Sequence, residues 1–523
     1  MADTKDKQIS TGELQKCNVK SASIDDIIIQ IGEYERSQIF LTVLLCLLMV
    51  PTVYPLFTLV FLTHLPAWRC SSTGEKNGEC LLNNTFNVGD GLYNERCKMN
   101  RSSWEFVVAD DFSIATEFNL VCDREILSAL VLSVPVISAI FGTIVLGELS
   151  ARHGRKKVIF ICYFIIMVIS FAQSFAPTYT IFFCLALVIG FCTSGVVPML
   201  YVTIAELVGS KYRSLASNMV WVAYALSVVF IGVHSYLIRS WRMRTIILSA
   251  PYISFVLFWR WVPESVRWLC INQRNNEAEK ILRKIAKQNN KQFPNVTLVE
   301  ISKKESEGTM LDLFKDCQLR RSVLLQSVVW FINELIYSGI VLATSYLSGR
   351  FYLDFILVSL VEIPANAVVI YACNRIGRKK STISSTFFAF WCLLAVACIP
   401  EDVTHSGYSI SRAFFGIMAK FFISISFNSV YLLSAETFPT VVRTQAMALL
   451  STMLLLGAAV SPWVSNALRL VYFQLPFIVL TVLCFGNVIL SFFLKETKGL
   501  VLEEVLTKET PPPKDPNMAD ASV

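Results

Sequence analysis

The sequence predicts an all-α membrane protein whose twelve transmembrane helices form two pseudo-symmetric six-helix halves, and three observations predict it. Over 523 residues, 54% are hydrophobic and only 16% charged, too few polar groups to cover a soluble protein of that length. Apolar runs of about 20 residues, the length that crosses a bilayer, recur along the chain. Two short polar motifs also recur at matching places in its two halves.

From the N-terminus, residues 1–38 form a polar segment. Within it Asp25 to Phe40 has apolar residues at helical spacing, which predicts a helix lying along the inner membrane surface. Apolar runs at 39–62, 126–148, 157–176, 178–206, 214–238 and 244–262 build the N-terminal half, 39–262. The first of them is long enough to stay in the bilayer rather than serve as a cleaved signal. A charged loop, 263–321, leads to runs at 322–346, 352–373, 381–400, 408–436, 444–467 and 472–494, the C-terminal half, 322–494. The tail, 495–523, carries Pro511-Pro512-Pro513 and is expected to be disordered.

A net charge of +7 raises the question of nucleic acid, but the basic residues collect in short loops between apolar runs, which excludes it. If the spans alternate, Arg152, Arg155, Lys156, Lys157, Arg375, Arg378, Lys379, Lys380 and the loop 263–321 share one face, which is then cytoplasmic together with both termini. The long loop 63–125 then faces outward, and the chain reads as a multi-pass plasma-membrane protein. That loop holds Cys70, Cys80, Cys97 and Cys122 and two glycosylation sequons, at Asn83 and Asn100. The clustering fits an oxidising compartment with two disulfides in one of three pairings. A third sequon, at Asn295, falls in the basic central loop and is expected to be unused.

The internal repeat specifies more. Arg152-His153-Gly154-Arg155-Lys156-Lys157 follows the second span, and Arg375-Ile376-Gly377-Arg378-Lys379-Lys380 follows the eighth. Glu206 with Arg213 closes the fourth span, as Glu436 with Arg443 closes the tenth. Both features recur in register, so the chain is a duplicated six-helix unit, the layout of secondary transporters that rock about a central site. Glycine permits a tight turn, and the arginines are placed to pair with Glu206 and Glu436 and hold a cytoplasmic gate shut.

Together with Ser113-Ile114-Ala115-Thr116-Glu117-Phe118-Asn119-Leu120-Val121-Cys122, Pro263-Glu264-Ser265-Val266-Arg267-Trp268-Leu269 and Glu496-Thr497-Lys498-Gly499, these residues resemble the major facilitator superfamily. The likeness runs from about Asp25 to Glu504 and is narrower still. Ser113 to Cys122 and the large glycosylated first loop resemble the organic cation, organic anion and carnitine transporter family, and Tyr352-Leu353-Asp354-Phe355 with Val361-Glu362-Ile363-Pro364 resembles its cation branch. The chain departs from that pattern at Ala151, Asn374 and Ala186. Leu455 and Asn366 stand where the resemblance implies a charge marker of one branch or the other.

Ionisable groups inside spans are costly and mark pathways or sites. Trp330, Glu334 and Tyr337 fall on one face of the seventh span, and a carboxylate between aromatics suits a bulky organic ammonium through charge and cation–π contact. Glu362 and Asn366 share a face of the eighth span, and Lys420, Phe427 and Tyr431 form a stripe on the tenth. Glu362 and Lys420 are also a candidate bridge. The expected activity is transmembrane movement of small organic cations or zwitterions, with the lipid bilayer as surroundings. An organic anion carrier using Lys420 and Arg412 is the alternative. A membrane receptor that kept the fold and lost transport is the reading of another class. No nucleotide loop or metal-spaced His/Cys set is present, so neither an enzyme nor a cofactor is expected.

Overall fold

The computed structural model describes residues 21–22, 24–71, 80, 85–86, 92–209, 211–249, 257–294, 297–298, 310–343, 347–400 and 406–498. Among these, eleven helices are long and apolar enough to cross a membrane. They are Arg36–Leu62, Cys122–His153, Arg155–Gln173, Tyr179–Leu207, Asn218–Leu237, Cys317–Ala343, Phe351–Ile376, Arg378–Cys398, Gly407–Thr437, Val442–Ala467 and Leu475–Phe492. The expected sixth span, 244–262, is represented by the helix Trp241–Ser249 and the turn Phe258–Arg260; residues 250–256 between them lie outside the described residues. Asn83, Asn295 and the tail beyond Lys498 lie outside them too.

Helices break where the chemistry requires it. Pro364 has no N–H for the Leu360 carbonyl, and the eighth span is interrupted at Val361, between Phe351–Leu360 and Glu362–Ile376. Gly154 and Gly377, at φ +98° and +100°, end one helix and begin the next within a single residue. Phe, Ile and Leu side chains such as Phe141, Ile144, Phe164, Phe387 and Phe485 stand on the outer surface of the bundle, the arrangement of a protein whose solvent is lipid.

The loop 63–125 folds over one end of the bundle, here termed the loop face. Strands Trp68–Cys70 and Trp104–Phe106 pair antiparallel around a core of Trp68, Phe86, Tyr93 and Trp104. Cys70 bonds Cys80 and Cys97 bonds Cys122, and Asn100 is exposed.

At the opposite, basic face the expectation for Asp25–Phe40 is corrected. It is not one helix on the membrane surface: Gly32, at φ +109°, breaks it after Ile24–Ile31. The buried Ile27, Ile28 and Ile31 pack on the central-loop helix Asn275–Gln288, and Asn289 Nδ2 donates to the Ile31 carbonyl at 3.0 Å. An amphipathic stripe shows that one face is buried, and here protein rather than lipid covers it. Asp25 bridges Arg267 at 2.6 Å and Arg213 at 3.0 Å.

Among the described residues, an ion pair and several ring stacks join the two halves on the loop face. Arg469 reaches Glu125 at 3.4 Å. His64 stacks on Phe351 at 4.2 Å, and Phe61 meets Phe351, Tyr352 and Phe355 at 5.0, 5.6 and 4.6 Å. Burial, then the charges of Arg469 and Arg244, push His64 down to about 3, so this aromatic seam is uncharged at neutral pH.

Candidate functional site

Three helices of the C-terminal half place charge near the middle of the bundle. Lys420, on the tenth span and fully buried, puts its Nζ 2.9 Å from Glu362 Oε1 and 2.7 Å from the centre of the Tyr337 ring. The Tyr337 hydroxyl donates to the same Glu362 oxygen at 2.5 Å. Glu362 stands where the eighth span breaks, which frees its side chain to reach both. One turn before Ser338, Glu334 is 8% exposed; its Oε1 accepts from the Ser338 hydroxyl at 2.5 Å, and it has no ion pair among the described residues. Gly457 lets the eleventh span run close beside it: a Cβ there would stand 3.3 Å from the Glu334 Cβ.

Aromatic side chains wall the same region. Tyr337 lies 6.0 Å from Phe427, and Trp330 lies 6.1 Å from Phe427 and 5.4 Å from Tyr431. Trp330 is buried with its Nε1 donated to Ser434 at 2.9 Å, so it supports Phe427 and Tyr431 from behind. Asn366 accepts from Asn428 at 3.0 Å. The N-terminal half supplies residues that pattern reading missed. Trp221 reaches Tyr431 at 6.5 Å, Tyr224 stands 6.0 Å from Trp221 and 5.8 Å from Phe57, and Tyr224 faces Tyr337, Glu362 and Glu334. The available signal was Trp221 and Tyr224 three residues apart, on one helix face, in the fifth span.

The repeated motifs form two copies of one polar clip. Arg155 pairs with Glu206, which also accepts from the Ser265 hydroxyl at 2.5 Å. Arg378 pairs with Glu436 at 2.8 Å, which accepts from the Thr497 hydroxyl at 2.6 Å. Glu264 accepts from the Lys156 N–H at 3.1 Å and Glu496 from the Arg378 N–H at 2.9 Å. Glu264 and Glu496 thus hold the start of the helix that follows each glycine turn. Arg213 and Arg443 donate to the carbonyls of Ala205 and Phe438 at 3.0 and 3.2 Å.

Two expectations need correction. Arg152 pairs with Glu148 on its own helix at 2.6 Å and is exposed, and Arg375 offers its carbonyl to Lys498 at 2.8 Å; neither meets Glu206 or Glu436. Both precede the glycine that reverses the chain and point away from the clip. The Arg155–Glu206 and Arg378–Glu436 pairs each lie within one half and tie helices of that half together.

The clip makes two measurable claims. At Gly377 a methyl group would come 2.6 Å from Glu496 Oε2 on a left-handed backbone, so Gly377→Ala is expected to cost at least about 1–2 kcal/mol, read as a lowered thermal unfolding midpoint. Burial raises the Glu496 carboxyl, but N–H donors of Lys498, Arg378, Lys379 and Thr497 outweigh it and hold the group below the usual carboxylate range. Its stabilisation is therefore complete above the unfolded value, about 4.3, and lost as pH falls through the lower folded value. The midpoint difference between wild type and Glu496→Gln is expected to be constant from pH 7 to about 5 and to shrink below about 4.

Comparison with known proteins adds the following. The family model described as "Sugar (and other) transporter" matches residues 42–508. An "Organic cation transporter protein" of Drosophila melanogaster is 29% identical, covering 92% of this chain and 93% of its own length. "Solute carrier family 22 member 2" of Oryctolagus cuniculus is 29% identical, covering 92% and 94%. Among solved structures, the inward open conformation of the E. coli xylose transporter XylE superposes with a TM-score of 0.60, covering 89% of this chain and 98% of that one at 15% identity, a likeness of fold.

Proposed function

We propose, on the premise that this chain belongs to the sugar (and other) transporter family, that it carries small organic cations or zwitterions across the plasma membrane by alternating access. The observation that carries the reading is a charge imbalance: two carboxylates, the buried Glu334 and the half-buried Glu362, face one buried ammonium, Lys420, and Lys420 is committed to Glu362. Glu334 is left to a proton or a cationic ligand. Phe427, Tyr224 and Tyr431 offer the aromatic faces that an organic ammonium prefers. The names of the relatives point the same way. In this reading the loop face is extracellular, the basic face and both termini are cytoplasmic, and the two clips keep each half rigid while the halves rock.

Cells expressing the chain are expected to take up a labelled quaternary ammonium saturably above vector controls. Depolarisation with external potassium is expected to slow that uptake, because a single inward charge gains about 2.3 kcal/mol per 100 mV. Uptake of a carboxylate compound with none of the ammonium overturns the substrate class. No saturable uptake of either by a surface-expressed chain overturns transport.

A further inference from the structure

A second buried charge lies away from this site, and the residues around it leave it unbalanced. Arg244, in the helix Trp241–Ser249, is 0% exposed. Its Nε and Nη2 donate to the Ile238 carbonyl at 3.2 and 3.0 Å, and Nη2 to the Arg239 carbonyl at 3.3 Å, where the fifth span ends. A helix end offers about half a unit of negative charge, less than a guanidinium carries. The charged and phenolic groups acting on Arg244 are Tyr352, whose side chain also hydrogen-bonds the guanidinium, Tyr54 and Arg239, and among the described residues none is a carboxylate. Its Nη1 is buried with no hydrogen-bond partner among the described residues.

Beside it, on the fifth span, His234 is 8% exposed, and neither ring nitrogen has a partner among the described residues. Tyr54 and Phe230 flank its ring, each at 6.1 Å, and the Arg244 charge acts on it. Buried polar groups of native proteins are almost always satisfied, and an uncompensated buried charge is among the costliest features a fold can hold. Capping of the fifth span accounts for Nε and Nη2 but leaves Nη1 and the imidazole unexplained. One small anion accepting from both satisfies the two groups and cancels the charge.

We propose that Arg244 and His234 bind a small anionic group, a carboxylate or a halide, with Tyr352 of the C-terminal half beside it. Such an anion touches both halves where they meet on the loop face. This site is independent of which substrate Glu334 binds, and binding is measured without transport.

The test is thermal unfolding of the purified full-length protein in sodium chloride, acetate or gluconate at matched ionic strength. Chloride or acetate is expected to raise the midpoint saturably above gluconate, too bulky for a closed site. The rise is expected to vanish in Arg244→Gln and to weaken in Tyr352→Phe, which keeps both carbonyl contacts of Arg244 should the first variant fail to fold. A rise with acetate alone assigns the site to a carboxylate, such as that of a zwitterionic substrate; a rise with chloride at equal or lower concentration assigns it to the free ion. No anion-specific rise in the wild type, or a rise undiminished in both variants, overturns the proposal.

Discussion

Glu334→Gln is expected to reduce saturable quaternary-ammonium uptake at least tenfold while surface expression stays close to wild type. The substitution keeps the shape of the side chain and an oxygen that accepts from the Ser338 hydroxyl, so packing beside Gly457 is preserved. What it removes is the one intramembrane carboxylate of the site that lacks a basic partner among the described residues. Two unit charges about 4 Å apart at an effective dielectric near 20 attract by about 4 kcal/mol, so even half of that exceeds a factor of ten. Glu334→Asp retains the charge but shortens the reach, and is expected to fall between the two. Uptake at wild-type rates in a surface-expressed Glu334→Gln protein would assign Glu334 to structure and shift attention to Glu362.

Lys420→Met is expected to have the largest effect on stability. The ammonium is fully buried, and its removal leaves Glu362 with only the Tyr337 hydroxyl. Breaking a buried pair from one side costs about 3–5 kcal/mol, because an uncompensated charge stays behind. The double variant Lys420→Met with Glu362→Gln removes both charges and is expected to recover most of the loss. Unfolding midpoints of the two single variants and the double variant close the cycle. A double variant no more stable than Lys420→Met would mean that the pair is not the reason Lys420 is there.

Most of the architecture was legible because span length and apolar content are set by the bilayer, and because the glycine-centred basic loop occurs twice in register. The Glu362–Lys420 contact was a nameable option for a similar reason: intramembrane charges are few, so partners are few. What sequence left hidden were associations over long separations. Glu264 and Glu496 fill the clip from more than a hundred residues away, and nothing local in Pro263-Glu264-Ser265 or Glu496-Thr497 tells where their carboxylates go. Trp221 and Tyr224 are aromatics in an apolar run, indistinguishable by pattern from packing residues until the halves are brought together. The docking of Ile24–Ile31 on the central loop was missed because hydrophobic periodicity reports burial without naming what buries it.

The seam on the loop face has a thermal consequence. It is made of rings, His64 on Phe351 and Phe61 on Phe351, Tyr352 and Phe355, with the Arg469–Glu125 ion pair at its edge. Parting those rings wets apolar surface, so the opening step carries a positive change in heat capacity. Apolar association weakens on cooling. Cold therefore favours the conformer open on the loop face, and an Arrhenius plot of turnover is expected to bend rather than run straight.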